Sequence, residues 1–118
     1  MVVPGLPNAF AITECLEPDG VRLNLAGELD VAGVGRLQDR LDSVARAGET
    51  VVLDLSELTF IDSSGLNVLV TATKRARRDG WQLRIERNLT RPVQRVVTMM
   101  GLSGVFWPES NPVDIPRS

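Results

Sequence analysis

Histidine is missing from this 118-residue chain. That one absence removes Ser-His-Asp and Cys-His nucleophilic chemistry together with the usual zinc sites, and leaves only a carboxylate-based metal site open. Cysteine occurs once, at Cys15, so an intramolecular disulfide is impossible and a reducing compartment fits. In a strand, Cys15 is expected to be a half-buried residue rather than a redox centre. No apolar run approaches the length of a membrane span. The N-terminal MVVPGLPNAF has neither the basic region nor the apolar core of a signal peptide. The expected setting is the cytoplasm, without membrane insertion. Lysine is nearly absent too: of 13 basic residues all but Lys74 are arginine. With a net charge of −2, nothing general draws the chain to nucleic acid or to anionic lipid. Internal repeats and low-complexity segments are also lacking.

What is present is the composition of a folded protein, 43% apolar and 24% charged. The length suits one domain over residues 1–118, with a core at about 10–107. The closing PESNPVDIPRS, residues 108–118, carries three prolines and no apolar period, and is expected to be an unstructured tail.

The rest of the chain is organised around Val51–Leu66, VVLDLSELTFIDSSGL. VVLDL has the β-branched, apolar character of a strand buried on both faces. SELTFI reads as a link. After it the apolar residues Leu66, Leu69, Val70 and Ala76 fall at helical spacing, with Thr73 in the same row. Asp62-Ser63-Ser64-Gly65 therefore stands where a strand has ended and a helix begins. Asp62, Ser63 and Ser64 are all N-cap types, and the free N–H groups of a first helical turn favour negative charge. A hydroxyl placed there is exposed and accepts a phosphate without structural penalty.

Upstream, Phe10–Leu16 and the alternating Val21, Leu23 and Leu25 flank the turn Glu17-Pro18-Asp19-Gly20, the pattern of an antiparallel hairpin. Val34, Leu37, Leu41, Val44 and Ala45 then form one helical face that Gly48 ends, with Asp42 and Arg46 spaced for an exposed pair. Downstream of the helix that Gly80 ends, Gln82–Glu86 reads as a strand. Pro92 opens a helix whose stripe is Val93, Val96, Val97 and Met100, and Val105–Trp107 reads as a brief extended piece. The fold class is α/β: a mixed sheet with an N-terminal antiparallel hairpin, parallel βαβ units with right-handed crossovers, and helices packed on the sheet.

DLSELTFIDSSGL, with GELD at Gly27–Asp30 and MMGLSGVF at Met99–Phe106, resembles the pattern of STAS domains, and in particular of bacterial anti-sigma factor antagonists. The resemblance runs over about residues 10–107 and rests on several ordered motifs, far more specific than DSSG alone. Asn67 stands where a small glycine is common, and the proline-rich tail where a last helix is usual. The resemblance implies a STAS-like fold with no catalytic residues, metal or cofactor of its own. It implies that Ser63, the first serine of the motif, is a phosphorylation switch. It further implies a partner surface of Asp30, Asp62, Ser63, Ser64, Gly65, Leu66 and Asn67. The implied partners are an anti-sigma factor of serine-kinase type and a serine phosphatase acting on Ser63, the chain itself being a monomer or weak dimer.

For an arbitrary DSSG the ordinary reading is a helix cap; the surrounding pattern reverses that and assigns the cap to Ser64 and the switch to Ser63. Asp30 either caps the first helix or lies on the partner surface. Asp62 either orients the serine or holds the loop. Asp30, Asp54 and Asp62 together suggest an acidic metal pocket of a phosphoryl-transfer enzyme, but no glycine-rich phosphate loop accompanies them. Lys74–Arg78 reads as a solvated helix end, and Trp81 and Trp107 as core-edge or surface anchors. The alternative function is that of a STAS subunit docked on a membrane transporter complex.

Overall fold

The structure, a computed structural model, describes residues 9–108. The expectation for the tail beyond Pro108 lies outside the described residues.

The hairpin forms as its turn chemistry predicts: β1 (Ala11–Glu17) pairs antiparallel with β2 (Gly20–Leu29). Helix α1 (Val34–Ala47) follows and stops at Gly48, whose φ of 71° is a left-handed C-cap that only glycine adopts freely. β3 (Thr50–Ile61) pairs parallel with β2, and α2 (Ser63–Asp79) leads to the short β4 (Leu83–Ile85), parallel to β3. α3 (Arg91–Met99) opens with Pro92 in its first turn, and one turn of helix, α4 (Ser103–Phe106), replaces the extended piece expected at Val105–Trp107. The strand order is β1-β2-β3-β4.

All four helices of the described residues contribute to one core. Leu37, Leu41 and Val44 of α1, Leu66, Leu69 and Ala72 of α2, Val93 and Val97 of α3 and Phe106 of α4 join Val21, Leu23 and Leu25 of β2 and Val51, Leu53 and Leu55 of β3. Successive right-handed crossovers in one direction leave both connecting helices on the same face of the sheet, and α1 accordingly packs against α2. Thr73 is the one buried polar residue of the stripe; its hydroxyl donates to the Leu69 carbonyl at 2.8 Å.

β3 is longer than its first five residues suggest. SELTFI continues the strand, because two register shifts against β2, between Asn24 and Ala26 and between Gly27 and Glu28, each place an extra residue on β3. The bulges turn the period of two into one of three, so that Leu55, Leu58 and Ile61 all reach the core.

The other face of the sheet carries charge. Arg22 donates to Glu17 at 2.9 Å, to Glu86 at 2.9 Å and to Asp54 at 3.3 Å. VVLDL is thus not apolar on both sides, since Asp54 faces this network. Burial opposes ionisation of the Asp54 carboxyl, but the Ser56 N–H and hydroxyl and the Arg22 guanidinium outweigh it and hold its pKa below the ordinary value. Cys15 is exposed rather than half-buried, on the edge strand β1. Asp42 pairs not with Arg46 but with Arg75 of α2 at 2.8 Å, and also accepts from Gln38. Arg75 chiefly, then Gln38, lowers its pKa.

Candidate functional site

The parallel pairing of β2 with β3 determines where the motif residues meet. Leu29 stands beside Ile61 at the last rung, so Asp30 and Asp62 leave the sheet side by side. The Asp62 N–H donates to the Leu29 carbonyl at 3.2 Å and ties the two exits together. Asp54 lies back along β3 in the Arg22 network, so the three aspartates do not converge. Among the described residues no cluster of three metal-ligating side chains exists.

Asp62 is the N-cap of α2. Its backbone is extended, its Oδ1 accepts from the Gly65 N–H at 3.0 Å, and its carbonyl accepts the first helical bond, from Leu66 N–H at 2.9 Å. The cap expected at Ser64 is therefore corrected to Asp62, the better-placed acceptor one residue before the helix. Asp62 holds the loop, and the Ser63 hydroxyl has no hydrogen-bond partner among the described residues. Ser63 is exposed at the first position of α2, where N–H groups lack intrahelical acceptors and the dipole is positive.

Asp30 does not occupy the cap position of α1, which is Gly33. Its carboxylate instead accepts from the Ala32 N–H at 3.0 Å, and its carbonyl accepts from Gly33 and Val34, shaping the turn into the helix. Neither Asp30 nor Asp62 has an ion-pair partner among the described residues.

Gly65 and Leu66, expected on the partner surface, are buried. A Cβ on Gly65 would stand 2.8 Å from Leu29 Cγ and from Ile61 Cγ1, and 3.0 Å from the Leu29 carbonyl. Glycine is what lets α2 start this close to both strand ends. Leu66 is only 5% exposed and belongs to the core. Ser63 and Asn67 are exposed, while Asp30, Asp62 and Ser64 are half-buried. Two neighbours went unnoticed in the sequence: Val31, 72% exposed just after Asp30, and Phe60, 43% exposed just before Ile61. An apolar residue inside a turn and one beyond a bulge have no periodicity to betray them.

This arrangement of strand ends, capped helix and uncommitted serine can be set beside known proteins. The model of a family described as Mlab, STAS domain, matches residues 12–108. The anti-sigma-B factor antagonist of Bacillus subtilis (strain 168) is 31% identical over 86 residues, covering 73% of this chain and 78% of that protein. The chain belongs to the STAS-domain family of anti-sigma factor antagonists. Its fold is similar to that of other solved structures. An anti-sigma factor antagonist from Mycobacterium paratuberculosis superposes with a TM-score of 0.72 at 18% identity, over 86% of each chain. The Bacillus cell fate determinant SpoIIAA in its phosphorylated form does so with a TM-score of 0.62 at 22% identity, over 80% of this chain and 86% of that one. Among the described residues of this STAS domain no helix is long and apolar enough to cross a membrane.

Proposed function

We propose that this STAS domain is an anti-sigma factor antagonist that works by partner switching in the cytoplasm. Unphosphorylated, it binds an anti-sigma factor that is also a serine kinase, and so frees the sigma factor. The kinase transfers the γ-phosphoryl group of ATP to the Ser63 hydroxyl, the hydroxyl proton leaving with a base of the kinase. The modified protein then releases its partner, and a phosphatase restores it by hydrolysis. The protein is substrate and binding partner, not catalyst. The observation that carries this reading is the division of labour at DSSG: Asp62 caps α2, leaving Ser63 exposed at the helix start and without a partner among the described residues. Ser63, Ser64 and Asn67, with Asp30, Asp62 and the apolar Val31 and Phe60 beside them, form the partner-facing surface.

Two experiments test it. Pull-down from cells should capture a kinase-like anti-sigma factor; a permease or transport ATPase instead would establish the transporter-subunit role. Incubation with the captured kinase and ATP, followed by peptide mass spectrometry, should place phosphate on Ser63. Phosphate mainly on Ser64, or none with a kinase shown to bind, refutes the switch.

A further inference from the structure

The strand order leaves β1 at one edge of the sheet, so the outward backbone groups of Ala11–Glu17 have no strand partner among the described residues. The other edge, β4, is only three residues long. The rungs with β2 fix which way the side chains of β1 point. Ile12, Glu14 and Leu16 stand opposite the core residues Leu25, Leu23 and Val21, and so point to the helix side. Thr13 and Cys15 stand opposite Asn24 and Arg22, and point to the charged side. Ile12 packs against the core, whereas Leu16 on the same face is 89% exposed. Glu14 is the kind of inward-turned charge with which sheet edges resist pairing, but Arg40 of α1 donates to its carboxylate.

We propose that β1 is a homodimer interface, pairing antiparallel with β1 of a second copy across a two-fold axis normal to the sheet. Such an axis joins the two sheets into one and keeps both helix layers on the same side. Only one register, centred on Glu14, pairs all seven residues of the strand. It sets Ile12 against Leu16 on the helix side, twice by symmetry, and Thr13 against Cys15 on the charged side. Leu16, bare in the single chain, is thereby covered by an apolar neighbour. The two Glu14 carboxylates meet at the axis, each already bonded to its own Arg40, so charges of both signs surround it. A shift of two residues either way instead sets Glu14 against Ile12 or against Leu16. Seven residues a side make a small interface, and the dimer is weak, with a Kd on the order of 100 µM. No residue of the DSSG turn lies in β1, so the dimer does not depend on the partner-switching role.

Sedimentation equilibrium of the full chain, from about 10 µM to about 1 mM, tests this. It should show a reversible monomer–dimer equilibrium, and the ¹H–¹⁵N resonances that move with concentration should cluster in Ala11–Glu17. Leu16→Gln should weaken the dimer about tenfold, because each dimer loses two apolar pairs. Arg40→Gln should weaken it similarly by leaving the Glu14 carboxylates opposed, and Glu14→Gln added to it should restore association. None of these three side chains is buried, so a near-parental Tm separates lost association from unfolding. Thr13→Cys sets a thiol opposite Cys15 of the other copy, and mild oxidation should link the copies. The parent, with Cys15 facing Thr13, should stay unlinked. A chain still monomeric at about 1 mM, shifts that cluster outside β1, or association unaffected by Leu16→Gln overturns the proposal. So does a parent that links through Cys15 as readily as Thr13→Cys, or a Ser63→Asp variant that no longer associates, since the DSSG turn would then be the contact.

Discussion

Gly65→Ala isolates the most demanding contact at the DSSG turn. The added methyl would lie 2.8 Å from Leu29 Cγ and Ile61 Cγ1 and 3.0 Å from the Leu29 carbonyl. Leu29 is fully buried and Ile61 nearly so, and the third neighbour is backbone; none can swing aside into solvent. Overpacking of this kind costs about 1–3 kcal/mol. Alanine's helix preference returns at most about 1 kcal/mol. The net loss is about 1–2 kcal/mol, which for a domain of this size lowers Tm by about 5–15 °C. Gly35→Ala is the matched control: its Cβ would meet nothing within 4 Å, so helix preference acts alone and Tm should hold or rise. Thermal unfolding by circular dichroism measures both. Gly65→Ala with an unchanged or higher Tm would show that the start of α2 is not seated against the strand ends as described.

Asp62→Ala should cost about 1 kcal/mol in denaturant unfolding while Asp62→Asn stays close to the parent, because an amide oxygen also caps; equal losses would mean that the cap is unimportant. Phosphoserine at 63 adds about −1.5 to −2 charges, which the helix dipole favours by about 0.3–1 kcal/mol and the Asp62 carboxylate opposes. Tm should therefore stay within a few degrees while affinity for the kinase-type partner falls a few hundredfold, about 3–4 kcal/mol, as an interface fitted to a hydroxyl meets a dianion. Calorimetric titration of the two forms decides it, and unfolding of α2 or an undiminished affinity refutes repulsion at the surface. Asp42 and Asp54 have folded pKa values below their unfolded value of about 3.9, so the stability they contribute is complete above that value and is lost as pH falls through the folded ones. The urea midpoint should be level from about pH 7 to 5 and drop below about pH 4, less steeply in Asp54→Asn; a midpoint that rises on acidification contradicts the two contacts.

The parts legible in the sequence are those governed by local rules. Leu37, Leu41 and Val44 repeat at helical spacing, Gly48 and Gly80 end their helices, and Val21, Leu23 and Leu25 alternate, so α1, α2 and the hairpin could be read directly. What escaped depends on partners distant in the chain. The second half of β3 reads as a link in the sequence because its bulges, visible only against β2, break the alternation. Asp42 chose Arg75 across the helix pair over Arg46 on its own helix. At the DSSG turn, the motif shows a helix start at Ser63 but not the burial of Gly65 and Leu66. That follows from how closely α2 approaches Leu29, a strand residue far upstream.

The two bulges make the last part of β3 a measured spacer. Val51 to Asp54 are held in strict register by β2 on one side and, as far as Leu53, by β4 on the other. Leu55, Leu58 and Ile61 then step toward the core every third residue, and Ser63 follows two places later. Loss or gain of a single residue between 55 and 61 would shift these side chains off the core face. It would also carry Asp62 away from the Leu29 carbonyl and rotate the start of α2. The protein can thus accept many substitutions between Leu55 and Ile61 but not a change in their number, because the orientation of Ser63 is determined by counting from the sheet.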